Sequence, residues 1–211
     1  MNPSSWKSVL GKTGSAMLKN IIDILSFNKK KNIAQCETIN EVLFYGAEDD
    51  KEKEEIGLNN LCCIYYVIVH ACQSIDVCLP SLTSETICKC FIAVQERNCA
   101  AIRVAIYHSS SSDHLQNLVK VGIAVRIVNS LVKLEHEFIL IDANDTCKEA
   151  VAVLGSLNYE VSRVNCNRDT TMLTSEPTVI LALKKEFDRV WLSGEDLTQN
   201  KDENKLKINN I

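Results

Sequence analysis

The 211-residue sequence lacks a run of about 18 apolar residues, the minimum that a membrane-spanning helix requires. It also lacks a secretory signal pattern, so we expect an intracellular protein. Ten cysteines are present, but no two have the C-x-x-C spacing that many zinc and redox sites show. We therefore expect most of them to be reduced and to serve as small apolar residues of the core.

The sequence also lacks an overall positive charge. Its net charge of −4 argues against binding nucleic acid through bulk charge, although it does not exclude a local basic surface. Such a surface is predicted in the N-terminal segment 1–38, where residues 1–31 contain six lysines and one acidic residue. Apolar residues recur there at helical spacing, at Met17, Leu18, Ile21, Ile22 and Leu25.

Two interpretations of this basic amphipathic segment remain open. It can lie on an anionic membrane surface or act as a mitochondrial address, or it can be a solvated arm whose short helix covers the domain. If the segment binds a partner, Lys29, Lys30 and Lys31 are the candidate contacts for RNA or for anionic lipid.

From residue 39 onward, strand patterns alternate with helix patterns. Strands are predicted at 41–45, 74–79, 101–107, 124–128, 137–142, 150–154 and 170–173. Helices are predicted at 58–72, 85–97 and 114–121, with a last helix from Pro177, and an acidic loop is predicted at 48–55. We therefore predict one α/β domain over residues 39–193, in which helices cover both faces of a mixed β-sheet. The polar segment 194–211 is predicted to be a disordered tail.

An ordered set of motifs lies in the second half of this domain. Gly155-Ser156-Leu157-Asn158 forms a G-S-x-N motif, and Asn167-Arg168-Asp169 is similar to N-R-E. A helix with the sequence LKKEFDRVW follows. This set resembles the phospholipase D superfamily, in particular the mitochondrial cardiolipin hydrolase (Zucchini) family, which has a single H-x-K-x4-D motif. The resemblance spans about residues 41–192 and implies the α/β fold of that superfamily.

Aligning the motif on Asp142 places Glu137 at the family's lysine and Glu135 at its histidine. An alternative alignment would use His136 as the nucleophile. It puts Phe138 at the lysine position, and it turns the histidine to the other face of the strand because side chains alternate. We therefore prefer the first alignment. The twelve residues between Asp142 and Gly155 are about twice the family spacing, and we expect them to lengthen a hairpin.

The resemblance implies a chemistry that these glutamates oppose. In the family, one histidine attacks phosphorus and another, from a facing motif, protonates the leaving oxygen, while lysines and asparagines hold the phosphate. Two negative charges about 5 Å apart repel by roughly 3 kcal/mol at an effective dielectric near 20. Glu135 and Glu137 therefore predict a catalytically inactive member, and the alternative is a phosphodiesterase (an endoribonuclease or cardiolipin hydrolase) with an altered mechanism.

The family's other pocket positions are retained here as Ser156, Asn158, Asn167 and Asp169. Asp142 can either orient groups near the site or cap the end of its strand. No cofactor or metal is expected, and the alternative is a hard cation such as Mg²⁺ or Ca²⁺ at Glu135, Glu137 and Asp169.

The resemblance also implies partners and a setting. Members with a single motif pair two copies across a twofold axis, so we expect a homodimer, or a heterodimer with an active paralogue. By the same resemblance, the setting would be the mitochondrial outer surface and piRNA biogenesis.

Overall fold

The computed structural model describes residues 38–46, 51–107, 113–144, 149–155, 159–160 and 164–197, and for residues 51–54 it describes the backbone only. The strands in these ranges are β1 (Asn40–Phe44), β2 (Ser74–Leu79), β3 (Ala101–Tyr107), β4 (Ala124–Val128), β5 (Phe138–Ile141), β6 (Val151–Gly155), β7 (Thr170–Thr174) and β8 (Glu195–Asp196). The helices are α1 (Lys51–Val69), α2 (Glu85–Glu96), α3 (Asp113–Lys120) and α4 (Pro177–Ser193).

All these strands belong to one sheet, in the order β1-β7-β6-β5-β2-β3-β4-β8. Strands β2, β3 and β4 are parallel to one another, and α2 and α3 make the crossovers that parallel neighbours require. The other pairings are antiparallel. The predicted α/β domain with a mixed sheet is confirmed.

The helices cover both faces of the sheet, as predicted. One apolar cluster contains the buried residues of α1, α2 and α3, and a second contains Ile180, Phe187 and Val190 of α4. Strand β5 divides its side chains between the two clusters: Ile139 belongs to the first and Phe138 to the second. This alternation fixes the face toward which the residues before β5 point.

Helix α1 begins at Lys51, within the segment that was predicted to be an acidic loop. The loop prediction is wrong for residues 51–55, and residues 48–50 lie outside the described ranges. Lysine and glutamate are good helix formers, and they extend an exposed helix end without any apolar periodicity. Gly57, in the first half of the helix, is buried where a β-carbon would collide with the side chain of Asn165.

The segment predicted to be a disordered tail contains β8. Its two residues pair with β4, and Leu197 is buried and donates its N–H to Val125 O at 3.1 Å. The tail prediction is therefore wrong for residues 195–197, because β4 offers an unpaired edge that a two-residue strand can satisfy. Residues 198–211 and nearly all of the basic N-terminal segment lie outside the described ranges. Among the described helices, none is long and apolar enough to cross a bilayer.

Candidate functional site

Glu137 and Glu135 immediately precede β5, and the sheet fixes the face toward which they point. Gly155 N–H donates to Glu137 O at 3.0 Å, so the pairing of β5 with β6 continues through Glu137. Because side chains alternate, Glu137 shares its face with Ile139, the face covered by α1, α2 and α3. Glu137 is half-buried and Glu135 is exposed. Both carboxylates therefore belong to the same face and the same end of the sheet.

A cross-strand row lies beside Glu137. Gly155 of β6 is its neighbour, and Thr171 of β7 is the next residue in the row. Gly155 has φ +142°, and a β-carbon there would lie 2.5 Å from Thr170 O, so the position requires glycine. As a consequence, no side chain from β6 stands between Glu137 and Thr171.

Asp169 and Tyr45 form the next row toward the same end of the sheet. Tyr45 N–H donates to Asp169 O at 3.1 Å, which continues the pairing of β1 with β7 beyond Thr170. Asp169 precedes Thr171 by two residues, and it therefore faces the same side. Its carboxylate accepts a hydrogen bond from Thr170 N–H at 2.8 Å. The sheet thus brings Glu135, Glu137 and Asp169 to one end of one face.

The carboxylates of this group influence one another. Burial raises the pKa of Glu137, and the negative charges of Asp169 and then Glu135 raise it further. Among the described residues, no cation contributes to the shift. The group is therefore a site of concentrated negative charge in which Glu137 holds its proton to a higher pH than an isolated glutamate.

Three buried hydroxyl groups lie beside the carboxylates. Tyr45, Tyr159 and Thr171 are 6%, 3% and 0% exposed, and among the described residues their hydroxyls have no hydrogen-bond partner. Burial raises the pKa of Tyr159, and the charges of Glu137 and Asp169 add to the effect. Burial likewise raises the pKa of Tyr45 to about 12, and Thr171 lies near enough to oppose the shift without reaching hydrogen-bond geometry. We call these six residues (Tyr45, Glu135, Glu137, Tyr159, Asp169 and Thr171) the acidic pocket.

Tyr159 is held in place by its backbone. It has φ +55°, and its carbonyl oxygen lies 2.6 Å from both Tyr65 Oη and Ser84 Oγ. The next residue, Glu160, accepts a hydrogen bond from Thr86 Oγ1 at 2.9 Å, in the first turn of α2. A carboxylate at this position is favoured by the helix dipole. Residues 159 and 160 are thereby tied to α1 and to the first turn of α2.

Sequence reasoning did not identify Tyr45, Tyr159 or Thr171 as site residues. Two of them carried a usable signal: Tyr159 directly follows the G-S-x-N motif, and Tyr45 ends the first predicted strand. Thr171 became recognisable only when the sheet placed it across Gly155 from Glu137.

Asp142 does not belong to the pocket. It follows β5, whereas Glu137 precedes it, so the two are roughly 17 Å apart along the strand. Asp142 is 8% exposed, and its carboxylate accepts hydrogen bonds from the backbone N–H groups of Cys72, Gln73 and Ser74 at 3.1, 2.7 and 3.0 Å. Asp142 thus caps the turn between α1 and β2, whereas the sequence predicted either a role near the site or a cap at the end of its own strand.

His136 points to the opposite face, as the alternation of side chains predicted. Its Nε2 lies 2.7 Å from Glu186 Oε1 of α4, and Arg189 pairs with the same carboxylate. The alignment that used His136 as the nucleophile is therefore excluded by geometry, because this imidazole is separated from the acidic pocket by the sheet.

Some predicted positions lie elsewhere. Ser156 and Asn158 are outside the described residues, and Asn167 is exposed in a turn whose backbone packs against Gly46. Within the described ranges, no three His, Cys, Asp or Glu side chains are arranged to hold a metal ion. The alternative of a hard cation at Glu135, Glu137 and Asp169 stays a prediction.

The fold and this site define the class of protein. The family model described as "Cardiolipin synthase, PLD-like domain" matches residues 64–191, which is more than half of the chain. The chain belongs to this PLD-like family.

Curated relatives narrow the comparison. The chain is 22% identical over 203 residues to the mitochondrial cardiolipin hydrolase of Xenopus tropicalis, covering 88% of this chain and 89% of the relative. It is 25% identical over 138 residues to the Xenopus laevis protein of the same name, covering 63% of this chain and 61% of the relative. It is 25% identical over 140 residues to the human mitochondrial cardiolipin hydrolase, covering 64% of this chain and 52% of the relative. The aligned region thus spans less than two thirds of two of these three relatives.

Solved structures agree on the fold. Nuc of Salmonella typhimurium, a phospholipase D family member, superposes with a TM-score of 0.59 at 16% identity, covering 76% of this chain and 98% of Nuc. NucT of Helicobacter pylori gives a TM-score of 0.59 at 17% identity, covering 76% of this chain and 100% of NucT. At these identities the likeness shows the fold alone.

Proposed function

We propose that this chain is a catalytically inactive PLD-like protein that acts by dimerisation or by binding a partner. The observation that carries the proposal is that Glu135 and Glu137, at the positions aligned with the family's histidine and lysine, lie with Asp169 at one end of one face of the sheet. A phosphodiester is anionic, and the transition state of its hydrolysis gathers more negative charge. A site for this reaction needs positive charge where the negative charge gathers, and these side chains supply none.

The repulsion between these carboxylates and a phosphate group is large enough to prevent the phosphate from binding. Each carboxylate about 5 Å from a phosphate oxygen adds roughly 3 kcal/mol of repulsion at an effective dielectric near 20. A lysine at that distance would give a gain of the same size, so replacing it by glutamate changes the binding energy by about twice that amount. Protonation of Glu137, which its raised pKa favours, would remove part of the repulsion but would not create a phosphate clamp.

The proposed setting follows from the relatives, which are named as mitochondrial cardiolipin hydrolases. We propose association with mitochondria, and a homodimer or a heterodimer in which this chain contributes an inert half-site to an active paralogue. A role in piRNA biogenesis at the mitochondrial surface is the corresponding cellular function. Sedimentation of the purified chain, alone and mixed with an active family member, would test the assembly.

The test of inactivity is a phosphodiesterase assay of the natural protein beside the double variant Glu135→His, Glu137→Lys. Cardiolipin vesicles and single-stranded RNA are the two substrates to compare. We expect no turnover by the natural protein and measurable turnover by the double variant. The matched control is Asp113→His with Glu96→Lys, which changes the net charge equally at two exposed positions that are not among the six pocket residues. Turnover by the natural protein would refute the proposal.

One observation favours the alternative of an altered mechanism. A half-buried carboxyl with a raised pKa, such as Glu137, can act as a general acid. An active enzyme of this kind would lose turnover in Glu137→Gln, which cannot donate a proton as a carboxylic acid does. If the protein is inactive, neither the natural protein nor this variant will show turnover.

A further inference from the structure

We propose that the acidic pocket binds a primary ammonium group, with the carboxylates of Glu137 and Glu135 and the hydroxyl of Tyr159 as acceptors. This inference rests on the proposed function, since it names a ligand for the site that has lost its phosphate chemistry. The ammonium can come from a small amine or from a lysine side chain of a partner protein, and the chemistry of recognition is the same for both.

The first argument is the set of unsatisfied polar groups. The carboxylates of Glu135 and Glu137 accept no hydrogen bond from any described residue, although Glu137 is half-buried. Buried hydroxyls almost always have a partner, and a hydroxyl left without one costs about 1–3 kcal/mol. Three such groups occur together in the described residues, and all three belong to this pocket. Their grouping indicates a place that a hydrogen-bonding ligand completes.

The second argument is the shape that the sheet imposes. Neighbouring strands are about 4.8 Å apart, so the backbones of Glu137 and Thr171, with one strand between them, are separated by about 10 Å. That intervening strand contributes Gly155, which has no side chain. The Tyr159 hydroxyl lies close enough to Glu137 and Asp169 to be affected by their charges, and the carbonyl oxygen of Tyr159 accepts hydrogen bonds from Tyr65 and Ser84. The Tyr159 hydroxyl and the carboxylates of Glu137 and Asp169 therefore lie near one another.

The third argument is charge. Burial raises the pKa of Glu137, and the negative charges of Asp169 and Glu135 raise it further. A bound cation would oppose this shift and would favour the ionised form of Glu137. An anion or a neutral ligand would leave the repulsion in place. The pocket is therefore complementary to a positive group.

The fourth argument selects an ammonium group over a metal ion. The described residues contain no group of three metal-binding side chains in a chelating arrangement. Calcium needs six to eight oxygen ligands, and Mg²⁺ requires a nearly ideal octahedron. An ammonium group has three N–H donors and needs only three acceptors, at about 2.7–2.9 Å, which two carboxylates and one hydroxyl can supply.

The test is a calorimetric titration of the full chain, at low salt and pH 7.5, with two probes: putrescine and Nα-acetyl-lysine methylamide. Binding of either at one site supports the proposal. Binding of both probes indicates recognition of the ammonium group that they share. Binding of the lysine derivative alone indicates a partner's lysine side chain as the ligand, and binding of putrescine alone indicates a small amine. Binding of neither overturns it. Tetramethylammonium has the charge without N–H donors, so equal binding of this ion, or tighter binding of MgCl₂, would also overturn it.

Variants locate the site. Glu137→Gln removes the charge with little change of shape, and we expect about tenfold weaker binding or more. Tyr159→Phe removes only the hydroxyl and should weaken binding about threefold or more, while the exposed Glu96→Gln should have no effect. Unchanged affinity in both pocket variants would overturn the proposal. If the natural protein binds neither amine and shows no phosphodiesterase turnover, this inference is refuted and the proposed function stands. If it binds an amine and also turns over a phosphodiester, the proposed function is refuted and this inference stands.

Discussion

Replacing Asp142 by alanine removes the carboxylate that holds the turn between α1 and β2. Its two oxygens accept three backbone N–H bonds, from Cys72, Gln73 and Ser74. A hydrogen bond to a charged group contributes about 1.5–3 kcal/mol, but Cys72 and Gln73 are exposed, so water can replace part of what they lose. We take the low end for these bonds and expect a loss of about 3 kcal/mol.

The backbone of Asp142 adds to this cost. It has φ +54°, a conformation that aspartate and asparagine tolerate better than alanine, for which it costs about 1 kcal/mol. Asp142→Ala should therefore lower the free energy of unfolding by about 4 kcal/mol. Asp142→Asn keeps one acceptor oxygen and the backbone preference, so it should lose about half as much. The difference between the two variants measures the contribution of the oxygen that asparagine keeps, together with the strain.

Urea unfolding followed by circular dichroism and tryptophan fluorescence measures these losses. A domain of this size should also melt about 8–16 °C lower in the alanine variant. In the folded fraction, amine binding by the acidic pocket should be unchanged, because Asp142 lies at the other end of β5. A loss of stability below about 1 kcal/mol would refute the assignment of Asp142 as a turn cap. Loss of amine binding in the folded variant would refute its separation from the pocket.

Three further predictions concern charge and backbone. Glu137→Gln should make the protein more stable at pH 7, because burial and like charges raise the pKa of Glu137 in the folded state and so penalise its ionised form. This advantage should vanish as the pH falls below the ordinary glutamate pKa, where Glu137 is protonated in both states. Chemical unfolding at pH 4 and pH 7 measures the difference. Asp76→Ala should lower the free energy of unfolding by about 3 kcal/mol in the same assay, because Asp76 is 2% exposed and its loss leaves Arg103, 2.7 Å away, without its buried partner. A double variant, Asp76→Ala with Arg103→Met, that is more stable than Asp76→Ala alone would support that reason. Gly155→Ala should cost about 2 kcal/mol or more in urea, since its β-carbon would lie 2.5 Å from Thr170 O; a loss under about 1 kcal/mol would contradict this.

The alternation of side chains along a strand made part of the site predictable. It placed Glu135 and Glu137 on one face and His136 on the other, and the contact of His136 with Glu186 agrees. Such predictions need only a strand and the residues next to it in sequence, so they can be made without knowing the rest of the fold.

The remainder of the pocket depends on strand order, which no local pattern contains. Tyr45 meets Asp169 only because β1 pairs with β7, and Thr171 meets Glu137 only across β6. Strand β8 was missed for a related reason, since two residues have no periodicity and their pairing is decided by the free edge of β4. The first turns of α1 were missed because charged residues at an exposed helix end have no apolar stripe.

The position of β1 has a consequence for how the chain matures on the ribosome. Its partner strand lies far downstream, as the bond between Asn40 and Thr174 across 134 positions illustrates. Translation proceeds at about 5–20 residues per second, so β1 waits several seconds or more before β7 emerges to dock against it. The side chains of Tyr45 and Asp169 accordingly come together among the last events of folding, and a nascent chain stalled before Asp169 cannot assemble the pocket, however well its parallel strands have already formed.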